Sequence, residues 1–196
     1  MNYKKMICIL FCIGFLFSNN FISAKIIKKE ENTIIALEET EKSDWAVMVY
    51  LAADVAGRNN FIDYFFDIFK DIGSNDEFKL IMLVDGLEIG DTGYYYIEKD
   101  VAVPLSWYET ESDMASSKTF ERFINLTKYY YPAEHYALIT ISDNGAGWQG
   151  VFSDTHGTGK LSSLTILPIV KVGKVLKNVT CNGSYKIDLW ATDVCI

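Results

Sequence analysis

The chain predicts an α/β fold, a mostly parallel sheet with helices on both faces. Two observations carry this reading. Largely continuous apolar runs at residues 46–52 (AVMVYLA), 78–84 (FKLIMLV) and 136–141 (YALITI) suit strands covered on both sides. Between them lie stretches whose apolar residues recur at helical spacing, so strand and helix alternate along the chain. A third observation bounds the size: 196 residues, 49% hydrophobic and 14% aromatic, suffice for one substantial core in a single domain.

The first residues stand apart from that core. Lys4 and Lys5 precede an apolar run over residues 6–17, and a short polar break leads to Ser23-Ala24-Lys25, a cleavage-site pattern. Residues 1–24 therefore read as a secretory signal peptide, too short to span a bilayer comfortably, with an uncleaved anchor as the alternative. The expectation is a secreted or extracytoplasmic protein with no stable membrane association after signal removal. Cys8 and Cys12 leave with the signal, so Cys181 and Cys195 remain; two thiols can pair, but they do not make a disulfide-stapled scaffold. Loss of two lysines and no acid takes the formal charge from −8 to −10, which argues against nucleic acid and suits a basic peptide or protein as partner. Residues 25–44 are charged and unpatterned, as expected of a flexible leader or propeptide, and residues 45–196 make the folded domain.

Within that domain, the strand at residues 46–52 leads into a polar loop over 54–60. Phe61, Phe65, Ile68, Phe69 and Ile72 then share a helical face, and Gly73 stops the helix. A second strand over residues 78–84 ends at Asp85-Gly86. Asp91-Thr92-Gly93 and the tyrosines at 94, 95 and 96 predict a small exposed hairpin over residues 90–97. Ser117 can cap a helix carrying Phe120, Phe123, Ile124 and Thr127 on one face, and Pro132 ends it. A third strand over 136–141 runs into a glycine-rich loop, residues 142–160. Another helix is expected over 164–176, with Pro168 in its first turn. The last strand, residues 187–191, runs into Asp193-Val194-Cys195.

Ligands of open α/β sheets bind at the carboxyl ends of the strands, which puts Asp54, residues 143–147 and residues 193–195 on one edge. A thiol there, next to a carboxylate that can select a basic substrate, is a candidate nucleophile. The plain alternatives are an inert buried cysteine for Cys195 and a solvated loop acid for Asp193.

The strings at residues 45–54 (WAVMVYLAAD), 131–148 (YPAEHYALITISDNGAGW) and 187–195 (IDLWATDVC) resemble the clostripain family of cysteine peptidases, in the family's order and spacing. That resemblance implies a caspase-like fold with a His-Cys dyad at the ends of adjacent strands. By the same resemblance Cys195 matches the nucleophile, and Gly145 the glycine whose N–H helps bind the oxyanion. Asp193 matches the acid of the arginine or lysine pocket. Asn144 stands where the family has the dyad histidine. Lys160 is the candidate bond for maturation cleavage. Family sheets continue past the cysteine, so the resemblance implies a domain truncated after the nucleophile strand. No cofactor is certain; calcium is a candidate activator, with the acidic loops around Asp54 and Asp154 offering oxygens and no ligands assigned.

Asn144 is the departure that matters. Imidazole titrates near neutrality, so it can help form a thiolate and later protonate a leaving amine, and an amide does neither. His135 lies at the amino end of its strand, where a hydrogen-bonding corner residue is the plain reading. His156-Gly157 resembles the family's His-Gly pair but falls twelve residues late, in a loop. Gly157-Thr158-Gly159-Lys160 lacks the first glycine and the Ser/Thr of a phosphate loop, and no zinc-ligand spacing occurs. The expected function is a secreted clostripain-like cysteine endopeptidase cleaving after Arg or Lys with Asn144 in place of the base. The alternative is an inactive homologue or fragment that binds basic peptides without cleaving them.

Overall fold

In the computed structural model the described residues are 22–24, 37–39, 42–54, 60–107, 110–142, 149–155 and 165–194. The chain divides into two units, residues 1–42 and 43–196. In the first, β1 (Ile22–Ala24) pairs antiparallel with β2 (Leu37–Glu39), Ile22 opposite Glu39.

The second unit is built on β3 (Ser43–Ala52), and its side chains explain the layering. Because successive residues of a strand point to opposite faces, Met48, Tyr50 and Ala52 enter one core while Val49 and Leu51 enter another. All five are buried, as a strand covered on both sides requires. β4 (Phe78–Asp85) and β7 (Ala133–Ser142) flank β3 in parallel, and β10 (Leu189–Val194) lies parallel beyond β7. On the other side β5 (Gly93–Glu98) runs antiparallel to β4 and β6 (Val101–Pro104) antiparallel to β5. The sheet order is β10-β7-β3-β4-β5-β6, mostly parallel.

Among the described residues, three helices cover the two faces. α1 (Phe61–Ile72) packs Phe69 and the half-buried Phe61 and Phe65 against Val49, Leu51, Leu80 and Met82. Gly73 ends it at φ 64, its N–H bonded to the Phe69 carbonyl at 2.8 Å, and a side chain there would collide with the Lys99 backbone. α2 (Ser117–Tyr130) and α3 (Ile169–Val179) take the opposite face, where Phe120, Phe123, Ile124, Val172 and Val175 meet Met48, Tyr50 and Leu138. The α2 cap is Ser116 rather than Ser117: its side chain accepts the Lys118 N–H at 3.2 Å.

Other expectations need correction. The tyrosines at 94 to 96 do not form a separate exposed hairpin. They lie in β5, with Tyr94 and Ile97 buried, and the turn falls at Lys99-Asp100, where Asp100 takes φ 66. Residues 150–154 are not loop. They form β8 (Gly150–Asp154), buried along its length and antiparallel to β9 (Thr165–Pro168). The helix expected from residue 164 therefore begins only at Ile169, with Pro168 as its cap in extended geometry. Among the described residues no helix is long and apolar enough to cross a membrane.

Candidate active site

Register brings the strand ends together. Ala52 stands opposite Asp85 on one side and Ser142 on the other, and Ser142 stands opposite Val194. This row closes the carboxyl edge of four parallel strands, the place where such sheets bind ligands. Ser142 and Val194 are the last described residues before the segments that hold Asn144 and Cys195, and they are direct neighbours in the ladder. Asn144, Gly145, Lys160, His156 and Cys195 themselves lie outside the described residues.

Asp193 is described and lies in β10. It pairs opposite Ile141, one residue before the closing row, and is exposed. Besides the parallel ladder, two side-chain bonds join its strand to β7: Thr140 Oγ1 donates to the Ala191 carbonyl at 3.3 Å and receives the Trp190 indole N–H at 3.1 Å. Asp193 is therefore a carboxylate on an anchored edge strand beside the strand end.

Beneath the edge lie three buried acids, Asp54, Asp85 and Asp154. Asp54 is bonded to Thr155, which donates its backbone N–H and also its hydroxyl at 2.8 Å, tying the residues after β3 to the end of β8. Asp154 accepts the Met114 N–H at 2.6 Å, and the Tyr50 hydroxyl donates to the Met114 carbonyl at 2.8 Å. Burial in the aromatic core, reinforced by nearby carboxylates, holds the Tyr50 phenol well above its ordinary range. The two loops proposed as calcium donors thus spend these carboxylate oxygens on joining the scaffold.

Asp85 differs. Its Oδ1 accepts the Thr92 hydroxyl, while its Oδ2 is buried without a partner. Burial pushes its pKa up to about 9; Asp154, Glu111 and Asp91 add to the rise, and only the Thr92 bond opposes it. In sequence Asp85 marks a strand end and Asp91 a turn, and linear spacing does not show that one oxygen of each falls within 4.8 Å of one from Glu111.

His135 lies away from the carboxyl edge of the sheet. It is the third residue of β7, opposite Trp45, and its ring packs on that indole with centroids 4.8 Å apart. Its Nδ1 lies 3.4 Å from Asp188. Seven residues separate it from Ser142, about 23 Å along a strand. The Asp188 carboxyl is held below its ordinary range chiefly by the Tyr136 N–H it accepts at 3.0 Å, with His135 contributing and desolvation opposing. This is a corner clamp at the amino end of the sheet.

Four parallel strands ending on one edge, with helices on both faces of the sheet, define an open α/β protein. The family model of the clostripain peptidases matches residues 49–196, and the chain belongs to the clostripain family. Among solved structures it is similar to a secreted cysteine protease from Bacteroides thetaiotaomicron in complex with an irreversible peptide inhibitor, with a TM-score of 0.60 at 16% identity over 78% of this chain and 43% of that one. It is also similar to an inactive zymogen protease from Parabacteroides distasonis, with a TM-score of 0.56 at 19% identity over 79% of this chain and 43% of that one. The chain thus spans less than half the length of these structures, and at such identities the likeness is one of fold. No curated protein matches.

Proposed function

We propose that this chain is a secreted clostripain-type cysteine peptidase module that recognises Arg or Lys through Asp193 and attacks through Cys195. The observation that carries the reading is the register, which sets the exposed Asp193 one residue before a ladder row shared by Ala52, Ser142 and Val194. A carboxylate there pairs with a guanidinium or ammonium group, and the acidic chain favours such substrates at long range. The proposed step is attack of the Cys195 thiolate on the carbonyl carbon of the basic residue itself. A carbon–sulfur bond forms and the carbonyl oxygen becomes an anion, received by the Gly145 N–H. Collapse breaks the carbon–nitrogen bond, and the departing amine must take up a proton.

That proton is the weak point. With Asn144 at the histidine position no imidazole activates the thiol or serves the amine. A thiol with a pKa of about 8.5 is only a few per cent ionised at pH 7. Loss of general acid–base help slows the step by about 10²–10⁴-fold. Binding without turnover is therefore the second reading, and Asn144 is what favours it.

Fluorogenic arginyl peptides test both. Slow hydrolysis that Cys195→Ala abolishes and Asn144→His accelerates supports the peptidase. Saturable binding to wild type and to Cys195→Ala, with no hydrolysis even in Asn144→His, supports the binding protein. Self-processing at Lys160 would give two fragments on a gel, and a Cys195→Ala protein still cut there rules it out.

A further inference from the structure

Thr140 is the one small polar side chain in the run at residues 136–141 (YALITI), and it is completely buried. A buried hydroxyl is costly unless it is bonded, and valine has nearly the same shape without that cost, so the partners of Thr140 are informative. Its Oγ1 accepts the Trp190 indole N–H at 3.1 Å and donates to the Ala191 carbonyl at 3.3 Å. Both partners belong to β10, 50 and 51 residues along the chain.

The strand they belong to has little else to fix it. Among the described residues β10 is the last strand in the sheet order, with β7 as its neighbour. Leu189 is 51% and Trp190 39% exposed, and none of the described side chains of β10 is buried. Strands with few buried contacts open locally at low cost. The amino end is fastened separately, since the Tyr136 N–H donates to Asp188 Oδ2 at 3.0 Å and the Asp188 N–H to the Tyr136 carbonyl at 2.8 Å. The Thr140 bonds act further along, at the two residues before Thr192 and Asp193. Because side chains alternate along a strand, Trp190 and Asp193 point to opposite faces. Thr140 shares the face of Leu138, which packs with Met48 and Tyr50. The indole therefore ties β10 from that face and leaves the Asp193 carboxylate on the other.

We infer that Thr140 is a positioning residue for substrate selection: by clipping Trp190 and Ala191 to β7 it fixes the carboxyl half of β10, and with it the place of the Asp193 carboxylate. The inference rests on the reading of Asp193 as the acid that pairs with arginine or lysine, and it is independent of whether Cys195 turns substrate over. Placement matters because a guanidinium meets a carboxylate through two parallel bonds of fixed geometry. A misplacement of about 1 Å in a positioning group can cost as much as 10²-fold. Thr140 touches no substrate in this role; it acts through the strand.

The test compares the full chain as wild type, as Thr140→Val, which removes the hydroxyl, and as Thr140→Ser, which keeps it. Amide hydrogen exchange reads the looseness of β10. Selection is read as the ratio of Kd values for a fluorescent peptide carrying one arginine and for its citrulline counterpart, which lacks the charge; the ratio does not change with the folded fraction. In Thr140→Val the amides of residues 191–194 should exchange about tenfold faster relative to those of β3, and the preference for arginine should fall by about tenfold. Thr140→Ser should restore both. Trp190→Phe, which removes the indole N–H from a partly exposed ring, should move both in the same direction by about threefold, and it decides the matter should Thr140→Val not fold. Unchanged exchange in β10 overturns the clip. Faster exchange with the arginine preference intact overturns its part in selection. A wild type that binds the two peptides equally overturns the reading of Asp193 and this role with it, and that failure is recognised in the wild type before any variant is compared.

Discussion

Asn144 is one position on which the whole chemical reading turns. Restoring imidazole by Asn144→His should raise arginyl-peptide hydrolysis by about 10²–10⁴-fold if the surrounding groove is otherwise intact, measured as kcat/KM. Asp193→Ala should lower kcat/KM for arginyl substrates far more than for uncharged ones, because the proposed partner of the guanidinium is gone. Tyr50 makes a different point at the same scale. Its ring lies in the aromatic cluster with Phe120 and Phe152, centroids 5.1 and 4.7 Å away, and its hydroxyl reaches the Met114 carbonyl. Tyr50→Phe keeps the packing and strands that carbonyl, so a loss of about 1–3 kcal/mol is expected in urea unfolding. The roles of Asp193 and Cys195 could be proposed from sequence only through the family resemblance, since an acid and a thiol near a strand end would by themselves read as a loop acid and an inert cysteine. The convergence of Asp85, Asp91 and Glu111 could not, since nothing in linear spacing reports that a strand end, the loop after it and a segment twenty residues beyond that loop's acid come together.

Among the elements, the parallel strands were legible and the edges were not. A run such as residues 46–52, apolar at every position, has no other stable place than between two covered faces. β8 was not legible because five residues embedded in a glycine-rich stretch carry no period. β9 carried a signal that was available: the residue before a proline is biased to extended geometry, which makes Leu167 a poor helix member and Pro168 a natural first boundary. Gly73→Ala should destabilise by more than about 1 kcal/mol, since its φ of 64 and the nearby Lys99 backbone both exclude a side chain. At the amino end, Asp188 is stabilised in its charged form. The contribution is present above the unfolded value of about 3.9 and disappears as pH falls through the lower folded value. Asp188→Asn should therefore flatten the loss of stability below about pH 4, read from urea midpoints across pH 2–5.

Taken whole, the described part of the second unit is a six-stranded sheet with helices on each face, together with the two-stranded β8–β9 sheet. Its two cores are set by strand alternation: Met48, Tyr50 and Leu138 face α2 and α3 while Val49, Leu51 and Met82 face α1. The most direct test of the central claim, a thiol-bearing edge selective for basic residues, is the intact mass of the protein after exposure to an arginyl chloromethyl ketone and to its aspartyl counterpart. The account predicts one adduct on Cys195 from the arginyl reagent, little from the aspartyl one, and loss of that preference in Asp193→Ala. An unmodified mass with both reagents, or equal labelling by the two, would contradict it.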